Sequence, residues 1–386
     1  MNTTHVEYGL EAFLASGDVV GRVGLVTNAT GRDRSGTHLA ELLARHPRLK
    51  LVCIFTPEHG FGADAPDGEA VSNDSHASLR VPIVSLYGPK KMPSPEDLTG
   101  LDLLIYDIQD VGVRFYTYIS TLRNVIDAAA PLGIPLHVLD RPDLMGGITI
   151  EGPMLSPGFS SFVGHLPLPI RYGLTAGELA LWWNHRLDRP APITVWPCRG
   201  WRRGTSFDDW NTSWVKPSPS MISPATAAFY PGTCLFEGTN LSEGRGTDAP
   251  FQTFGAPWVD ADRWREVLVP TLPSDIQVST VTFIPTFSKF VGEPCRGIRL
   301  NAQNPLFDHA FSTALHAIAA FMKTHPDRIE FSARPNLPHP FFDHLVGCAW
   351  VREGLQKNVP VAEIVARANE DSKPFSKSLD EFYLYK

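Results

Sequence analysis

Five short apolar runs in the first 145 residues, separated by stretches of helical periodicity, constrain this chain most. Residues 23–27 (VGLVT), 51–55 (LVCIF), 81–87 (VPIVSLY), 101–106 (LDLLIY) and 134–139 (IPLHVL) read as strands, the third weakened by Pro82. Residues 36–46 and 117–130 carry apolar side chains at helical spacing, and Pro131 with Gly133 stops the second stretch. Near-continuous apolar strands alternating with helices predict βαβ units and a parallel sheet. Four of the runs end in polar groups: Asn28, then Thr56-Pro57-Glu58-His59-Gly60, then Asp107-Ile108-Gln109-Asp110, then Asp140-Arg141-Pro142. Open α/β sheets bind ligands outside the carboxyl ends of their strands, so these ends predict a site.

The texture changes after Glu151. Residues 150–260 are rich in Pro, Gly, Trp and Ser, and only 175–186 reads as a clear helix, with Thr175 as N-cap and Glu178 completing a capping box. Further helices are expected near 307–323 and 360–370. A chain of 386 residues suits two domains, placed at 1–150 and 151–386. The net charge of −7 argues against a nucleic-acid partner. No apolar run approaches the length of a membrane span, so no membrane partner is expected either. No basic and apolar leader opens the sequence, which points to the cytoplasm, or to the periplasm or outside if a leader precedes it. The five cysteines are widely spaced without a CxxC pair and read as free buried thiols. Prolines number 34, about twice the usual share, and many flank polar motifs, which suggests stiffened loops around a site.

Three segments carry the chemistry. Glu58 and His59 project from a loop fixed by Pro57 and Gly60; the carboxyl suits a general acid, or else pairs with an arginine. Residues 107–118 (DIQDVGVRFYTY) combine Asp107, Asp110, Arg114 and Tyr116 before a helix. Carboxylates beside aromatic rings suit a sugar, and the alternative is helix capping with an Asp–Arg pair. Residues 237–247 (EGTNLSEGRGT) hold Glu237, Asn240, Glu243 and Arg245 among three glycines, without the spacing of a nucleotide-binding loop. No HExxH is present, and His339, Asp343 and His344 lie in a Pro-rich stretch that reads as structural, so neither metal nor cofactor is expected. A GxSxG elbow is absent.

Taken in order, these segments resemble one family. They are Gly24-Leu25-Val26-Thr27-Asn28, Pro57-Glu58-His59-Gly60, the 106–118 stretch, Leu139-Asp140-Arg141-Pro142, Glu151-Gly152-Pro153 and Ser161-Phe162-Val163-Gly164. Lys216-Pro217-Ser218-Pro219-Ser220, Tyr230-Pro231-Gly232-Thr233, Glu237-Gly238-Thr239-Asn240, Gly244-Arg245-Gly246-Thr247, Phe342-Asp343-His344-Leu345 and Phe382-Tyr383-Leu384-Tyr385 follow. The chain resembles the NamZ/YbbC-type exo-β-N-acetylmuramidases, bacterial glycoside hydrolases long of unknown function. The likeness runs over nearly the whole chain and is looser at 62–78.

The resemblance implies a Rossmann-like N-terminal domain, a smaller α/β (α+β) C-terminal domain and an active site in the cleft between them. It implies release of non-reducing-end N-acetylmuramic acid from peptidoglycan fragments, a small-molecule substrate. Glycoside hydrolysis uses two carboxyl groups, or one that orients a participating N-acetyl group. Glu58 is expected as the acid. Glu237 is the first choice of partner, with Glu243 and Asp110 behind it. A guanidinium should bind the lactyl carboxylate, with Arg245, Arg141, Arg171 and Arg114 as candidates. Asn28, His59, Asp107, Tyr116 and Asn240 are expected to meet hydroxyls and the acetamide. A hydrolase or deacetylase acting on another amino sugar and a non-catalytic muropeptide-binding protein are the competing readings. The sequence assigns no oligomeric state.

Overall fold

A computed structural model describes residues 5–66, 68–69, 74–75 and 79–386. Residues 67, 70–73 and 76–78 of the looser 62–78 stretch lie outside the described set. The five predicted runs form β1 (Gly21–Thr27), β2 (Leu49–Thr56), β4 (Pro82–Ser85), β5 (Leu103–Asp107) and β6 (Leu136–Leu139). The two-residue strand β3 (Asp74–Ser75) precedes β4, and β7 (Ile193–Trp196) follows β6. The sheet order is β3-β4-β2-β1-β5-β6-β7, with all pairings parallel except β3–β4. Every residue of β5 and the last five of β1 are buried, as expected of central parallel strands covered by helices.

Helices α1 (Gly9–Ser16), α2 (Leu39–Ala44), α3 (Pro95–Leu98), α4 (Tyr118–Ala129) and α5 (Ala176–Asn184) accompany this sheet. Thr175 caps α5 and the capping box with Glu178 is present. Strand β7 moves the domain division expected at 150/151. Residues 140–192 carry α5 as the crossover that returns the chain to pair β7 beside β6. The Pro- and Gly-rich texture there marks long loops, not a change of domain.

The second unit begins with α6 (Pro224–Thr233) and holds an antiparallel sheet of β8 (Thr253–Ala256), β9 (Ile276–Phe283) and β10 (Cys295–Ala302), in the order β8-β10-β9. Around it lie α7 (Ala261–Leu268), α8 (Ala310–Thr324), α9 (Phe341–Val346), α10 (Trp350–Gln356) and α11 (Val361–Ser376). One apolar core runs through both units. A smaller cluster joins Phe375, Leu379 and Phe382, at and beyond the end of α11, to Tyr172, Leu174, Leu179 and Trp182. The units are also tied by polar bonds. The backbone N–H of Phe311 donates to Glu151 at 2.8 Å, and the Tyr385 hydroxyl donates to Asp140 at 2.6 Å.

Candidate active site

A cavity of about 740 Å3 opens between the two units. Glu58 reaches it because β2 ends at Thr56 and the chain turns at once. Pro57 accepts from the N–H of Gly60 at 3.1 Å, with His59 and Gly60 both in the left-handed region at φ 69° and 73°. Gly60 adopts this conformation without strain, whereas His59 is held in it. The Glu58 carboxyl accepts from the Thr117 hydroxyl at 2.6 Å and from the Gly68 N–H at 3.0 Å. Thr117 lies immediately before α4, so the second motif holds the first motif's carboxyl in place.

Glu237 faces the same cavity from a short 3-10 turn, Cys234–Gly238, that follows α6. Gly238 lets this turn lie against α9: a Cβ there would sit 2.4 Å from Phe342 Cα. Arg245 donates to Glu237 Oε1 from Nε at 2.8 Å and from Nη2. Burial pushes the Glu237 carboxyl up. The charge and hydrogen bonds of Arg245, aided by Arg334 and Lys289, outweigh that and hold it below the ordinary carboxylate range. Glu237 is therefore an anion at neutral pH. Glu243 stands 3.5 Å from Arg245 Nε and 3.0 Å from Lys289 Nζ. Lys289 also donates to the carbonyls of Phe236, Glu237 and Leu241.

The walls are aromatic. Tyr230 meets Phe115, Tyr116 and Phe251 edge-on at 5.3, 5.8 and 4.7 Å, and Tyr87 lies 5.5 Å from Phe162. Carboxyl groups between aromatic faces are the features a pyranose ring meets well.

Glu58, His59, Tyr116, Glu237, Glu243 and Arg245 line this cavity; the other six predicted residues do not. Asn28 shapes the turn after β1, accepting from the N–H and hydroxyl of Thr30 at 3.0 and 2.6 Å. Asp107 and Arg141 form a buried ion pair at 2.6 Å. Asp110 accepts from the Gly112 N–H at 2.7 Å and from the Tyr172 hydroxyl, and burial pushes it up to about 7. Arg114 is sealed between the units. It donates to the carbonyls of Pro153 (2.9 Å), Leu168 (2.6 Å), Leu345 (2.9 Å) and Val346 (2.6 Å). Asn240 clasps the 328–330 backbone, donating to Arg328 O at 2.9 Å and accepting from Glu330 N at 3.0 Å. Arg171 is likewise spent on the carbonyls of Met145 and Phe307. Asp107, Asp110, Arg114 and Arg141 are charged groups at or beyond the carboxyl ends of the parallel strands, but there they are enclosed by partners inside the fold.

Among the lining residues that the sequence did not single out are Thr117, Tyr230, Lys289 and Arg334. Thr117 sits inside a recognised motif. Lys289 and Arg334 sit in loops with no pattern to mark them. Of the prolines expected near the site, Pro57 adjoins Glu58 and Pro219 lines the cavity, whereas Pro231 lies inside α6.

A second cavity, about 560 Å3, occupies the crevice at the strand-order reversal between β1 and β5 and is lined by Thr30, Arg32, Gln109 and Arg141. The sheet rule favours that crevice, and Asp33 and Asp208 line it beside Tyr8, Phe207 and Trp214, but all of its lining residues come from the first unit and Arg141 there is neutralised by Asp107.

Among the described residues, no group of three or more His, Cys, Asp or Glu side chains is placed to hold a metal ion. Asp343 is bound to Arg352 at 2.8 Å, and His344 Nδ1 lies 3.2 Å from Phe159 O. No described helix is long and apolar enough to cross a membrane.

A family model for the exo-β-N-acetylmuramidase NamZ N-terminal region matches residues 23–225, and one for its C-terminal region matches 228–385. The models meet at the start of α6, beyond β7. The peptidoglycan β-N-acetylmuramidase NamZ of Bacillus subtilis strain 168 is 38% identical over 364 residues, spanning 94% of this chain and 87% of that protein. Two crystal structures of DUF1343 family proteins from Bacteroides fragilis share the architecture. One has a TM-score of 0.91 at 30% identity, covering 99% of this chain and 100% of the other. The second has a TM-score of 0.75 at 29% identity, covering 99% of each.

Proposed function

The chain belongs to the exo-β-N-acetylmuramidase NamZ family and is a glycoside hydrolase, and from that premise we propose how its cavity works. The reaction is release of N-acetylmuramic acid from the non-reducing ends of peptidoglycan fragments. Glu58 is the general acid that protonates the departing glycosidic oxygen. The Thr117 hydroxyl holds it, and a hydroxyl both donates and accepts, so it can hold the carboxyl before and after the proton leaves. Glu237 is the anionic partner that stabilises positive charge developing at the anomeric carbon. Arg245 keeps it ionised and fixes its direction. Tyr116, Tyr230 and Phe162 offer faces and edges to the sugar ring, and His59 and Glu243 complete the polar lining.

One observation carries this reading: Glu58 and an ionised Glu237, brought from separate units, open onto one aromatic-walled cavity. The test compares a chromogenic β-N-acetylmuramide with the matching β-N-acetylglucosaminide. Only the muramide should be cleaved, and Glu58→Gln should lower kcat about 100- to 10,000-fold with an unchanged melting temperature. Near-normal turnover by a folded Glu58→Gln variant removes Glu58 from the role. Turnover that vanishes with EDTA and returns with zinc would favour metal-dependent chemistry instead.

A further inference from the structure

Among the described residues, three Arg or Lys side chains line the cavity: Arg245, Lys289 and Arg334. Two are committed. Arg245 grips Glu237 and stands beside Glu243, and Lys289 donates to three backbone carbonyls beside Glu243. Arg334 adds its charge to the field that holds Glu237 low, but its side chain makes no hydrogen bond or ion pair among the described residues. Its guanidinium lies over the ring of Phe341, 3.4 Å from the centroid. Stacking of that kind fixes the plane of the group through one face and leaves the N–H edge open. The backbone sets its place: Ser332 N–H donates to Gly238 O at 2.9 Å, one residue past Glu237, and Phe341 N–H donates to Ser332 O at 2.7 Å. The loop carrying Arg334 is thus closed at its base and registered against the Glu237 turn.

The surroundings give this cation a task. Glu58, Asp64, Glu69, Glu237 and Glu243 all line the cavity. A substrate bearing its own carboxylate meets like charge there unless a cation with open donors receives it. Arg114 and Arg171, which charge alone would nominate, are sealed in the fold, and Arg141 is paired with Asp107 away from this cavity.

We propose that Arg334 is the specificity residue that binds the lactyl carboxylate of the muramic acid ring, through the open edge of its guanidinium. This rests on the muramidase reading of the cavity. A planar guanidinium can take a carboxylate through two parallel N–H bonds, a geometry that a glucosamine ring, lacking the lactyl group, cannot use.

The test is calorimetric titration of wild type and Arg334→Ala with N-acetylmuramic acid and with its lactyl methyl ester, beside turnover of the chromogenic muramide. Wild type should bind the acid about 10- to 100-fold more tightly than the ester. In Arg334→Ala the acid-to-ester ratio should fall to near one, and KM for the muramide should rise by a similar factor with kcat moved much less. Arg334→Lys should recover part of the ratio. A ratio unchanged by Arg334→Ala overturns the proposal. So does a fall in kcat with the ratio intact, which would make Arg334 a positioning residue for Glu237. Wild type that prefers the acid yet turns over no muramide would leave the assignment of Arg334 standing and overturn the hydrolase reading.

Discussion

Two regions of this molecule use the same residue types to opposite ends. Around the carboxyl ends of β1, β5 and β6, Asp107 pairs with Arg141, Arg114 is bound by four carbonyls, and Asp110 is enclosed by Tyr172 and Gly112. Across the cleft, Glu237, Glu243 and Arg245 form an equally dense charged group, but it lines a cavity that also receives Glu58. In the first region each of these groups is enclosed and held by partners within the fold, so they weld strands and units together. In the second the enclosure is incomplete, and the carboxyl groups remain available to a substrate. A cluster of Asp, Glu and Arg thus becomes a site only where the packing leaves space beside it.

The comparison breaks if substitutions in the two regions have the same signature. The largest expected effect is on stability. Asp107→Asn leaves the buried Arg141 charge without its partner and should cost about 3–5 kcal/mol. It would be read as a lower urea midpoint at unchanged m-value, with kcat of the folded fraction preserved. Glu237→Gln should do the reverse, lowering kcat about 100-fold or more with little change in melting. Loss of stability without loss of kcat would move Glu237 into the structural class.

A smaller effect concerns pH. Burial pushes Asp110 up to about 7, Glu151 to about 7 and Asp140 to about 6. Their folded-state values are raised, so the folded protein keeps protons that the unfolded chain has released. That stabilisation is fully present below about pH 4 and fades as pH rises toward 7. Asp110→Asn should flatten the decline by roughly 2 kcal/mol, measured by denaturant titrations at pH 4.5 and 7.5. A variant that steepens it would reverse the sign of the Asp110 contribution. The smallest effect belongs to Asn240→Ala, where loss of a half-exposed backbone clasp should cost about 1 kcal/mol and leave KM for the muramide unmoved. A large rise in KM would return Asn240 to the site.

Much of the first sheet was legible in the sequence, because strands buried on both faces must be nearly continuous apolar runs. β7 was not: Ile193–Trp196 is short, only half-buried and embedded in Pro-rich loops, so the division of the chain was placed too early. The motifs that line the cavity were legible for a different reason. Glu58 and Glu237 sit in tight turns whose Pro and Gly residues restrict the backbone, and such turns leave a mark in sequence. Lys289 and Arg334 sit in irregular loops and leave none.

What the sequence determined by itself was the parallel α/β plan, the family and the set of charged residues from which a site could be drawn. The tertiary structure decided which of them face a substrate. Local pattern governs secondary structure because it acts through neighbouring residues. Whether a charged group is enclosed or faces a cavity depends on partners such as Asp107 and Arg141, or Arg114 and the Leu345 carbonyl, that only folding brings together.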